Sequence, residues 1–129
     1  MSYYIAKTVS GTFEKVVANV TAQLKNQGFG VLTDSDAQAT LRAKLGVDMP
    51  KYRILGDCNP QFAHEALKLE ERLGVLLPCN VIVRETSGQR IEVASIDPVF
   101  AMEHTENPAL EKTAEEVRGL LAQALAQVG

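Results

Sequence analysis

The chain has 129 residues, of which 46% are hydrophobic and 5% aromatic with no tryptophan, so we expect a single domain over residues 1–129 with an aliphatic core. Its formal net charge of −3 argues against nucleic acid and acidic membrane surfaces as partners, because both attract basic patches. No apolar run approaches the ~20 residues of a spanning helix and no secretory signal is visible, which predicts a cytoplasmic protein without a membrane partner.

The first part of the chain predicts a strand, a helix and a second strand. Residues 3–9 combine aromatic and β-branched side chains with partial alternation, which is typical of a strand. A helix capped by Ser10 or Thr12 follows and ends near Gly28, a residue that suits a left-handed helix end. Its apolar face consists of Phe13, Val16, Val17, Val20 and Leu24. Residues 29–34 then form the second strand.

Capping signals predict the next two helices. Ser35 or Asp36 caps a short helix that stops at Gly46. After a short strand, Asn59 and Pro60 start a third helix, because Asn is a preferred N-cap and Pro is favoured at the first helical position. This third helix should fray near residue 69.

The rest of the chain predicts a β-hairpin, a single helical turn and a long final helix. Two strands, residues 79–85 and 90–97, are joined by a short turn that contains glycine. A second Asn-Pro pair at residues 107–108 introduces the last helix, whose apolar face continues to Val128. The order β-α-β-α-β-α-β-β-α indicates an α+β fold in two layers, with the helices packed on one mixed sheet.

Short segments spread over the chain resemble a known family. They are residues 28–31, 40–41, 44–46, 52, 54–56, 58–60, 63, 66–67 and 76–81. Together they are similar to the domain-of-unknown-function family 302, a set of small bacterial and archaeal proteins, over nearly the whole chain. The resemblance implies a two-layer α+β domain like the TATA-binding-protein arrangement, a capacity to form homodimers, and no known activity. Asp57 departs from the family pattern, in which a small residue is common.

The only two cysteines, Cys58 and Cys79, are the first candidates for chemistry. Cys58 precedes a helix start, where backbone N–H groups and the helix dipole favour a thiolate and a pKa below ~8.5. The neighbouring Asp57 opposes this effect. If the two strands are neighbours, the thiols could form a reversible disulfide, a sulfur-transfer pair or part of a metal site. The alternative is that both are small buried residues at strand ends.

We therefore expect a binding site formed by Cys58, Asn59, Pro60, Cys79 and Asn80. The first hypothesis is a non-enzymatic homodimeric domain that binds a small molecule or a protein through these residues. The second is a thiol protein in redox or sulfur handling, with Cys58 reactive and Cys79 resolving it. The third is metal binding by the same thiols and a histidine. No nucleotide or metalloprotease motif is present, so the sequence assigns no cofactor, metal site or catalytic residue, and enzymatic activity stays open.

Overall fold

The computed structural model describes residues 2–129, which form five strands and five α-helices. The strands are β1 (Tyr4–Ser10), β2 (Gly30–Asp36), β3 (Tyr52–Cys58), β4 (Cys79–Glu85) and β5 (Arg90–Ile96). The helices are α1 (Phe13–Asn26), α2 (Ala37–Leu45), α3 (Pro60–Leu69), α4 (Pro98–Glu103) and α5 (Glu111–Ala126). Two short 3-10 helices, Glu71–Leu76 and Pro108–Leu110, precede β4 and α5. The order is the predicted one, with the expected single helical turn after β5 present as the short helix α4. The α+β class is confirmed.

The strands form one sheet in the order β1-β5-β4-β3-β2. Every pair of neighbours is antiparallel, so the prediction of a mixed sheet is wrong in this detail. Two strands that follow each other in the chain can be parallel neighbours only if the connection between them crosses over and places them side by side. Here β1 and β2, which α1 connects, run in the same direction but lie at opposite edges of the sheet, and three strands separate them.

The core lies between the sheet and the two long helices, α1 and α5. The predicted apolar face of α1 is confirmed, because all five of its residues are buried. The strands contribute the buried side chains Leu55, Val81, Val83, Ile91 and Val93. A smaller second cluster, formed by Ala66, Leu73 and Leu110, lies beside α3. The aliphatic character of both clusters follows from the scarcity of aromatic residues in the chain.

Helix boundaries follow the capping residues of the sequence. Asp36 and Asn107 each accept a hydrogen bond from a backbone N–H at a helix start, and Gly46 ends α2 in the left-handed conformation. As expected, α3 ends at residue 69, and the chain continues as a 3-10 helix. Thr12 occupies the N-cap of α1 without a side-chain hydrogen bond. Within residues 2–129, the structure contains no helix with the length and apolarity needed to span a membrane.

Candidate functional site

A cavity of about 360 Å³ lies at the end of β3, next to the second hydrophobic cluster. It is enclosed by α3, the 3-10 helix Glu71–Leu76, the start of β4 and the N-terminal half of α5. Its lining is almost entirely apolar and includes Phe29, Phe62, Leu73, Leu77, Met102 and Leu110. Leu32 and Leu67 also line it and are 67% and 38% exposed, so the cavity reaches the protein surface.

Asp57 is the one charged side chain in this lining among the described residues. Alternation along β3 places it on the same face of the sheet as the core residue Leu55, and it pairs in register with Cys79 of β4. The residue is 0% exposed, and neither carboxyl oxygen accepts a hydrogen bond from another residue. Burial raises the pKa of Asp57 from 3.8 to about 7, and its own backbone N–H offsets only part of this effect.

The two cysteines are both free and both line the cavity. Their pKa values are raised, contrary to the expectation of an activated thiolate at Cys58. Burial raises the pKa of Cys58, and the charge of Asp57 adds to this effect. Burial raises the pKa of Cys79 to about 12, with smaller contributions from Asp57 and Cys58. Burial and the adjacent carboxyl therefore outweigh the helix start, and both thiols are protonated at neutral pH.

The cavity includes three of the five site residues expected from the sequence. Asn59 lines it together with the two cysteines, and its Oδ1 accepts a hydrogen bond from the N–H of Phe62 at 3.5 Å. The predicted cap of α3 is thus confirmed. Pro60, the first residue of α3, is exposed and lies outside the lining. Asn80 is also outside it, because the residue after Cys79 in a strand points to the opposite face of the sheet.

Pro78 approaches β3 closely at Gly56, one residue before Asp57. A Cβ atom on Gly56 would lie 2.2 Å from Oγ1 of Thr33 and 2.9 Å from Cγ of Pro78. The peptide bond between Leu77 and Pro78 is cis. Only glycine leaves room for this approach. Leu77 and Cys79, the residues before and after the proline, both line the cavity.

The two histidines take no part in the cavity. His64 is exposed on α3, and the ring centroid of His104 lies 5.1 Å from that of Phe100 in an edge-on contact. Across residues 2–129, no three His, Cys, Asp or Glu side chains are grouped so that they could hold a metal ion. The hypothesis of a metal site built on the two thiols thus has no third ligand within this part of the chain.

The sequence reasoning missed Asp57 as a site residue and missed the contribution of the C-terminal third. A signal for Asp57 was present, because it lies two residues after Leu55 in a strand and therefore shares its buried face. An aspartate at an inward strand position is unusual. No comparable signal marked Met102, Leu110 or Thr113, since nothing in the spacing shows that the segments containing them border the same cavity as α3.

Comparison with known proteins finds a matching family model and a solved structure that is similar to the chain over its full length. The family model described as "Domain of unknown function DUF302" matches residues 5–128. The structure is similar to the crystal structure of an uncharacterized conserved protein DUF302 from Bacillus stearothermophilus, with a TM-score of 0.94 and 27% identity over 100% of each chain. No curated protein matches the chain significantly.

Proposed function

The chain belongs to the DUF302 family of domains of unknown function, and on that premise we propose that it is a non-enzymatic domain that binds a small, mainly apolar ligand in the cavity beside Asp57. The supporting observation is the cavity itself, which combines about 360 Å³ of space with an apolar lining and one unpaired buried carboxyl group. Ligand sites in proteins typically have this size and this mixture of apolar walls and few polar groups.

The exposed apolar side chains at the cavity rim add to this support. Leu32 and Leu67 line the cavity while remaining partly in water. Beyond them, Val75 on the adjacent 3-10 helix is 85% exposed. Exposed apolar side chains beside a cavity are typical of binding regions in soluble proteins, whereas isolated exposed leucines are ordinary.

We expect the neutral fluorophore N-phenyl-1-naphthylamine to bind the folded protein saturably, with one molecule per chain. Replacement of Ala63 by phenylalanine should weaken this binding by about tenfold or more, because the added ring would occupy the cavity that Ala63 lines. His64→Phe places the same phenyl ring one residue away, on an exposed position of α3, and should leave the affinity unchanged. Fluorescence titration gives both affinities.

Amide chemical shifts measured during the same titration locate the probe without any variant. Binding in the cavity should shift the resonances of Phe62, Leu77 and Cys79. Fluorescence that rises without saturation, or shifts confined to other parts of the chain, would show that the cavity does not bind such a ligand.

We also propose that two copies associate through the outer face of the sheet, on the side away from α1 and α5. Alternation along the strands places Ile54, Ile82, Ala94 and Ile96 there, and the register makes Ile82 the direct neighbour of Ile54 and Ala94. A sheet face that meets water usually carries polar residues at these positions. A central apolar row formed by Ile54, Ile82 and Ala94 is instead suited to a self-complementary contact between two identical surfaces.

Light scattering at increasing protein concentration should give twice the monomer mass. Ile82→Lys should shift the protein to the monomer, because it places a charge at the centre of the outer face. Gln61→Lys adds the same charge at an exposed position on α3 and serves as the matched control. A wild-type chain that stays monomeric at high micromolar concentration would contradict the homodimer.

The thiol-based alternative has one observation in its favour, since Cys58 and Cys79 line the same cavity. The raised pKa values of both thiols favour the binding function over redox or sulfur handling, because the thiolate is the reactive form. The cytoplasmic location and the absence of a nucleic-acid partner stay predictions of the sequence.

A further inference from the structure

Asp57 differs from the other buried aspartate of the chain in having no partner. Asp97 is 5% exposed, but its Oδ1 accepts a hydrogen bond from the N–H of Val99 at 2.9 Å and its Oδ2 pairs with Nε of Arg118 at 2.8 Å. The two oxygens of Asp57 have no equivalent contacts with other residues. A buried carboxyl group without a partner is costly, and such groups are rare unless something outside the chain completes them.

The lining of the cavity contains one carboxyl group and, among the described residues, no basic side chain to balance it. Among the described residues that line it, Asp57 is the only charged one. A second pocket shares Met102 and Ala114 with the cavity, and its charged lining residues are Glu103, Glu106 and Glu111. Within these two linings, an anionic ligand would meet carboxyl groups and no basic side chain, whereas a cation would be attracted by the carboxyl groups.

Resting on the apolar-ligand function proposed above, we propose that the ligand is a small amphipathic cation, in which a protonated amine or guanidinium group pairs with Asp57 and an apolar body fills the cavity. The ammonium or guanidinium supplies the hydrogen-bond donors that the carboxyl oxygens lack. The apolar body replaces water along the side chains of Phe62, Leu77 and Met102. The pairing occurs at low solvent exposure, where charge attraction is stronger than at the surface.

Three compounds with the same phenyl-terminated four-carbon chain and different head groups test this class of ligand: 4-phenylbutylamine, 4-phenylbutanol and 4-phenylbutyrate. We expect the amine to bind about tenfold or more tightly than the alcohol, and the carboxylate to bind most weakly. Calorimetric or NMR titration gives the three dissociation constants at pH 8, where Asp57 is largely ionised.

Asp57→Asn should remove the advantage of the amine, so that amine and alcohol bind within about twofold of each other. Glu65→Gln removes a carboxylate from an exposed position on α3 outside the cavity and should retain the preference. Equal binding of all three compounds by the wild type would overturn the cation assignment while leaving the apolar-ligand function intact. Failure of all three compounds and of N-phenyl-1-naphthylamine would overturn both.

The pH dependence of ligand binding by the wild type tests the pairing with Asp57 even if Asp57→Asn disturbs folding. The preference for amine over alcohol should fall as the pH is lowered from 8 to 5, because Asp57 gains a proton while the amine keeps its charge. The other titratable groups in the lining are Cys58 on the same strand and Cys79 on β4. Both have raised pKa values and stay neutral over this range. A preference that is independent of pH would contradict pairing with Asp57.

Discussion

Replacement of Asp57 by asparagine is expected to stabilise the ligand-free protein at pH 8 by up to about 4 kcal/mol and to change its stability little at pH 4. The pKa of Asp57 rises from 3.8 in the ordinary state to about 7 in the fold, and each unit corresponds to about 1.4 kcal/mol. The folded chain therefore keeps a proton that the unfolded chain releases above pH ~4. This contribution to stability is complete below pH ~4, decreases as the pH rises toward 7, and is lost above it.

Urea denaturation of the wild type and of Asp57→Asn at pH 4, 6 and 8 measures this difference directly. Asp97→Asn is the matched control, since it alters a buried aspartate whose carboxylate is paired with Arg118. That substitution should lower the free energy of unfolding at pH 8, opposite in sign to the effect at Asp57. Wild-type and Asp57→Asn curves that run parallel from pH 4 to pH 8 would show that this carboxyl group titrates normally in the fold.

A stabilising substitution at Asp57 would itself support a functional role for the residue. Sites that bind ligands often retain groups that weaken the empty protein, because those groups are satisfied only in the complex. The variant should thus gain stability and lose the preference for a cationic head group. Urea denaturation measures the gain in stability and ligand titration measures the head-group preference, so either effect can be observed without the other.

Gly56→Ala is expected to destabilise the protein by about 3 kcal/mol, because its Cβ atom has no room between β2 and the segment before β4. The new atom would lie 2.2 Å from Oγ1 of Thr33 and 2.9 Å from Cγ of Pro78. The backbone at Pro78 is then forced to move, and the adjacent residues Leu77 and Cys79 move with it. The free energy of unfolding from urea denaturation gives the size of the effect.

Two further variants separate steric conflict from the general effect of replacing glycine. Thr33→Ala in the Gly56→Ala background removes the closest contact and should restore about half of the lost stability, whereas the contact with Pro78 remains. Gly30→Ala in β2 meets no atom within 4 Å and should cost nothing or stabilise slightly. Equal losses at Gly30 and Gly56 would rule out the close approach as the cause.

Local signals in the sequence predicted the elements of the fold well. Asp36, Asn59 and Asn107 accept hydrogen bonds from the backbone of the helices that follow them, as their positions indicated. These signals are reliable because a cap acts within three residues of its partner and needs no knowledge of the rest of the chain. The direction of neighbouring strands was predicted less well, since a mixed sheet was expected and every pair is antiparallel.

The residues that line the cavity were predicted only in part, because they come from distant parts of the chain. Cys58 and Asn59 were found through the strand end and the helix start that they occupy, and both line the cavity. Asn80 was grouped with Cys79 by adjacency, but neighbouring residues of a strand point to opposite faces. Asp57 departs from the family pattern, and only the tertiary structure shows that it is fully buried and that its carboxyl oxygens have no hydrogen-bond partner among the described residues.

By itself, the sequence determined the class of the fold, the order of its main elements, several helix caps and the aliphatic nature of its core. Each of these depends on periodicity or on groups a few residues apart, which one stretch of chain contains in full. The tertiary structure alone decided that β1 and β2 lie at opposite edges and that α5 closes a cavity next to β3. It also decided the protonation of Asp57, Cys58 and Cys79, because a pKa depends on which atoms exclude water from the group.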